Sequence, residues 1–77
     1  MYKVYHVSPV TYYEGFALIA ANSAAEANEH IAEYKANDIN NRWDSFGLTY
    51  VDDEDVIENL SASIEGFVYN HIFYTGR

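Results

Sequence analysis

Apolar positions along the chain change period as the sequence is read from its start. The residues YKVYHV, Tyr2 to Val7, are rich in β-branched and aromatic types, and Ser8-Pro9 closes the run because proline cannot donate to a strand ladder. This predicts a first strand. After a turn over Val10 to Gly15, the run FALIAA, Phe16 to Ala21, is apolar at every position, which predicts a second, central strand antiparallel to the first.

The period then lengthens. Ser23 can cap an orphan backbone donor while Glu26, three residues on, reaches back, and this is a helix start. Ala24, Ala27, Ile31 and Tyr34 follow at the spacing of one helical face, so the helix is expected to run to about Ala36 or Asn37. The stretch Asn37 to Arg42 has the composition of a loop, and Phe46 to Val51 suggests a short extended segment.

Two patterns overlap in the last third. Val56, Ile57, Leu60 and Ile64 fit a helical stripe with acids in its first turn, ending at Gly66. The same residues also fit a strand from about Asp55 to Leu60, a turn ending in Gly66, and a final strand from Phe67 to Tyr74. The hairpin is the preferred of the two. The expected fold class is α+β: a small antiparallel β-sheet, ordered as ββα then a β-hairpin or as ββαβαβ, with a helix packed on one face. Residues 1–77 form a single domain in this reading, without repeat or linker.

Strict alternation would place Phe67, Tyr69, His71 and Phe73 on one face of the last strand, and Val68, Asn70, Ile72 and Tyr74 on the other. Both sets are largely apolar. One helix covers one face, so the second needs the loop carrying Trp43 and Phe46, another subunit, or a partner. Phe67, Tyr69, His71 and Phe73 are therefore the candidate oligomer interface.

Composition narrows the function. A chain of 77 residues buries only roughly 60% of its unfolded surface, yet 49% hydrophobic and 17% aromatic residues are too many for a disordered acidic tail. The absence of cysteine excludes disulfides, thiolate nucleophiles and zinc-thiolate sites. No apolar run approaches a membrane span, and MYKVYHVS lacks the features of a leader peptide, so a soluble, cytoplasmic protein is expected.

Twelve acidic residues against four Lys and Arg give a net charge of -8. That balance repels phosphate backbones and anionic lipid, which argues against direct nucleic-acid or membrane binding and for a basic protein partner.

Motifs for chemistry are missing. Asp38-Ile39-Asn40-Asn41-Arg42 puts a cation at the third ligand position of a calcium loop, and His6, His30 and His71 have no metal-ligand spacing. No serine stands in a nucleophile elbow and no glycine cluster cradles phosphate. No catalytic residue, metal ligand or cofactor is assigned, and the chain is read as a non-enzyme.

The acids themselves are the remaining candidate. Glu26, Glu29 and Glu33 lie along one side of the helix, and Asp52, Asp53, Glu54, Asp55 and Glu58 form a second cluster in VDDEDVIE. Carboxylates arrayed in this way can compete for a groove that tracks phosphates, although a merely solubilising face has the same composition.

The segments FALIAANSAAEANEHIAEYK, DSFGLTYVDDEDVIENL and GFVYNHIFYTG, with the short acidic chain around them, resemble small phage or mobile-element proteins. Among characterised proteins the resemblance is to phage-encoded inhibitors of bacterial defence, including anti-CRISPR proteins. It implies an inhibitor that binds an effector by shape and charge, a DNA mimic in effect, and assigns no residue a role. The alternative is a structural or regulatory homo-oligomer, in the simplest case a homodimer, joined through the aromatic sheet face.

Overall fold

The computed structural model describes residues 1–37 and 44–76. Four antiparallel strands form one sheet: β1 (Tyr2–Val7), β2 (Tyr13–Ala21), β3 (Val56–Ala62) and β4 (Gly66–Tyr74), in the spatial order β3-β1-β2-β4. One helix, α1 (Ala24–Asn37), packs on one face, so the α+β class is as expected.

Helix α1 starts where the capping residues put it. The Glu26 N–H donates to Ser23 Oγ at 3.2 Å, and the Glu26 carboxylate reaches back one residue beyond Ser23 to accept from the Asn22 N–H at 3.3 Å. Ala27 and Ile31 are buried, with Ala24 and Tyr34 packed at their margin. They meet Tyr5 and Val7 of β1, which stand opposite Ile19 and Ala17 of β2. This is the core, and Ile72, Leu48 and Val51 complete it.

β2 begins at Tyr13, earlier than the apolar run alone suggests, because β4 pairs along its whole length from Tyr13↔Tyr74 to Ala20↔Gly66. Gly15 makes that close pairing possible. Its φ is 100°, and a Cβ there would overlap the His71 carbonyl oxygen of β4.

The last third contains strands, as preferred, but not a hairpin. β3 pairs with β1 and β4 pairs with β2, so the two strands form opposite edges of the sheet and residues 63–65 pass across the ends of the central pair. The alternative helix over Val56 to Ile64 is absent. Local pattern signals a strand but carries no information about which strand it joins, since pairing depends on contacts far apart in sequence.

The short extended segment expected over Phe46 to Val51 is reduced to its second part. Asp44–Gly47 forms a short 3-10 helix, Leu48 makes an isolated bridge to Pro9, and the Val10 N–H donates to the Gly47 carbonyl at 2.8 Å. Leu48 and Val51 sink into the core on the same side as α1, so this segment thickens the covered face instead of closing the other. The expected contribution of Trp43 and the loop from Asp38 to Arg42 lies outside the described residues.

A bulge corrects the face assignment in β4. Leu18 stands opposite Tyr69 but Ile19 stands opposite Phe67, leaving Val68 as the extra residue. Phe67 is thereby turned to the helix side, where its ring meets Tyr34 at 5.1 Å. Only Tyr69, His71 and Phe73 of the four expected interface residues share the uncovered face.

Candidate functional site

The stretch VDDEDVIE folds as an acidic turn leading into the edge strand. Asp53–Asp55 is a single 3-10 turn in which the Asp55 carboxylate accepts from the Asp52 N–H at 2.8 Å and the Asp55 N–H donates to the Asp52 carbonyl at 3.0 Å. Asp55 is therefore engaged in holding the turn, as Glu26 is engaged at the start of α1. Asp52, Asp53, Glu54 and Glu58 are exposed, as are Glu29 and Glu33.

Two contacts tie the start of α1 to the acidic turn, and of the helix acids they bring Glu26 towards it. Asn28 of α1 bonds both backbone polar groups of Val51, the residue just before Asp52. Tyr5, in β1 beneath them, feels both clusters. Its phenol pKa is raised, first by burial and then by the negative charge of Asp53 and Glu26.

The uncovered face of the sheet carries a chain of rings. His6 of β1 stacks on Phe16 of β2 at 5.3 Å; Phe16 meets Tyr69 at 4.9 Å, Tyr69 meets His71 at 6.4 Å, and His71 meets Phe73 edge-on at 5.2 Å. Phe16, Tyr69 and Phe73 are 37%, 44% and 40% exposed, so each ring is half open to solvent. Register puts Glu14, opposite Phe73, on the same side. Val4 and Ala20 at the other end of this face are buried.

A third feature lies at the junction of β1 and β3. Tyr5 pairs with Val56 and Lys3 with Ser61, so four residues of β3, Ile57 to Leu60, bulge out opposite Val4 alone. Asn59 sits in the left-handed region at φ 65°, which asparagine tolerates better than most residues. The bulge helps wall an open cavity of about 590 Å³ that includes Lys3, Tyr5, Asp53 and Glu58.

Cations are few. Lys35 lies over the Tyr50 ring at 4.5 Å, and burial lowers its pKa. His30 of α1 pairs with Glu65 at 2.8 Å, linking the helix to the segment between the edge strands. Among the described residues no three His, Asp or Glu side chains converge as a metal site, and no helix is long and apolar enough to cross a membrane.

Of the residues singled out from sequence, Asp52, Asp53, Glu54, Glu58, Glu29 and Glu33 are exposed and Tyr69, His71 and Phe73 share the open face. Sequence reasoning missed His6 and Phe16 as members of the ring chain, although the alternation in β1 and β2 carried that signal. It also missed Tyr5 and the cavity, which depend on the pairing of β1 with β3 and on the bulge there, neither of which has a local signal. Comparison of the chain with protein-family models, curated proteins and solved structures finds no match.

Proposed function

We propose that the chain is a non-enzymatic acidic binding protein that occupies a basic surface of a nucleic-acid-handling protein, in the manner of a phage-type inhibitor of bacterial defence. The observation that carries this reading is the approach of two acidic groups distant in sequence. Asn28 of α1 holds Val51, and with it the turn from Asp52 to Asp55, against the helix, and Glu26 and Asp53 both lie near enough to Tyr5 to raise its phenol pKa. With a net charge of -8, such a surface attracts a groove lined by Lys and Arg and repels nucleic acid itself.

Charge-driven binding weakens as salt shortens the Debye length, about 10 Å at 0.1 M. Tagged protein is expected to capture a basic nucleic-acid-binding protein from bacterial lysate at about 0.1 M salt and to release it at about 0.5 M. Replacing Asp52, Glu54, Glu29 and Glu33 by Lys should abolish capture. Capture that survives both treatments would overturn the proposal.

The ring chain favours a second reading, a homo-oligomer joined through the uncovered face. Glu14 is the one acidic residue that register places among these rings in β2 and β4, so two acidic copies can approach there with little direct repulsion. A mass that stays monomeric by light scattering from micromolar to millimolar concentration would remove this reading.

A further inference from the structure

The cavity between β1 and β3 has acidic walls and a buried hydroxyl without a partner. Tyr5 is 2% exposed, yet its phenol oxygen makes no hydrogen bond among the described residues. A buried hydroxyl normally finds a partner, because leaving it unmade costs the desolvation of the group. Asp53 and Glu58 also line the cavity, and neither is ion-paired among the described residues. Lys3 is unpaired among them as well and is outnumbered by the two carboxylates.

The remaining wall is apolar or backbone-rich: Val56, Ile57, Asn59 and Leu60. A ligand suited to this cavity has an alkyl stem and a flat cationic head with several donors aimed in different directions. An alkylguanidinium meets that description. Its stem lies along apolar side chains, and its five N–H groups can serve two carboxylates and a phenol oxygen together.

We propose that this cavity is a guanidinium-binding pocket that takes an arginine side chain of the basic partner. The second half of this statement rests on the function proposed above. Asp53 and Glu58 supply the charge-assisted bonds, Tyr5 accepts a third, and Ile57 and Leu60 hold the stem.

The probe is an arginine blocked at both ends, N-acetyl-arginine methylamide, titrated against the whole chain and followed by two-dimensional NMR. Saturable shifts at Tyr5, Asp53, Glu58 and Leu60 are expected, with half-saturation in the millimolar range of a ligand this small. Asp53→Asn with Glu58→Gln should weaken binding by at least about tenfold, and Tyr5→Phe by roughly three- to tenfold, as for hydrogen bonds to charged groups. Lys3→Met should tighten it. The lysine analogue should bind several-fold more weakly, having no planar fork.

Tyr5→Phe keeps the ring and removes only a hydroxyl that has no hydrogen bond among the described residues, so thermal stability should hold or rise while binding falls. Absence of saturable shifts with the blocked arginine overturns the pocket, and salt-sensitive capture of a partner would still stand as a separate result. An arginine-rich peptide that displaces the probe at the same resonances supports an arginine of a protein as the source. A probe that binds but is not displaced by the peptide overturns that source.

Discussion

The Asn28 side chain and the Val51 backbone form a closed pair of hydrogen bonds: Asn28 Nδ2 donates to the Val51 carbonyl at 2.9 Å, and the Val51 N–H donates to Asn28 Oδ1 at 2.8 Å. One amide thus satisfies both polar groups of a buried residue that has no strand partner, and it fixes the turn from Asp52 to Asp55 against the helix. Asn28→Ala removes both bonds and leaves the Val51 groups without them. The expected loss is about 2 kcal/mol, at roughly 1 kcal/mol per bond, measurable by urea denaturation. Asn28→Asp keeps the acceptor but sets a carboxylate oxygen against the Val51 carbonyl beside the acidic turn, so it should lose at least as much as Asn28→Ala. Amide exchange at Val51 and Asp52 should accelerate in both variants.

Gly15→Ala places a methyl group against the His71 carbonyl at a backbone angle that favours glycine. A loss of roughly 2–3 kcal/mol is expected from strain and overpacking together. Gly76→Ala is the control, since it shares a positive φ but meets only the edge of Tyr74 at 3.7 Å. Its cost should be about 1 kcal/mol or less.

The helix, the two central strands and the strand character of the last third were legible because each is written in local pattern. Ser23 and Glu26 mark the start of α1, Ala27 and Ile31 mark its buried side, and FALIAA marks a strand central in the sheet, although Phe16 stays half open on the uncovered face. The pairing of β3 with β1 was not legible, because nothing in Val56 to Ala62 names a neighbour some fifty residues earlier. The position of Phe67 was lost to one extra residue, Val68, which carries no glycine or other sign of a bulge. The acidic stretch was legible as a turn, but its attachment to the helix through Asn28 and Val51 depends on residues 23 apart in sequence.

Alkaline pH offers a test specific to Tyr5. Burial, then the charges of Asp53 and Glu26, raise the folded-state pKa of the phenol above its usual 10.0. The folded chain therefore keeps a proton that the unfolded chain releases above about pH 10. The raised pKa leaves stability untouched below that pH and lowers it progressively as pH rises towards the folded-state value. The stability difference between the parent chain and Tyr5→Phe should be flat from about pH 6 to 9 and shift against the parent above about pH 10. A difference that stays constant to about pH 11 would mean that the phenol ionises alike in both states.

Tyr69→Ala and Phe73→Ala remove rings that are 44% and 40% exposed. Each is expected to cost the fold only about 0.5–1.5 kcal/mol, the worth of its ring contacts. If the uncovered face joins two copies, both should lower the mass seen by sedimentation at high concentration, whereas replacing the exposed helix acids Glu29 and Glu33 should not.

The order β3-β1-β2-β4 also bears on how the chain emerges during synthesis. Both outer strands belong to one contiguous stretch at the end of the sequence, Val56 to Tyr74, so the β1-β2 pair is made first and waits with hydrogen-bonding groups bare on both sides. Until residues 56–74 arrive, that nascent pair is open to another ribosome's product on either flank. The last stretch then closes like a clasp, arriving on both sides through a span of only three residues, 63–65.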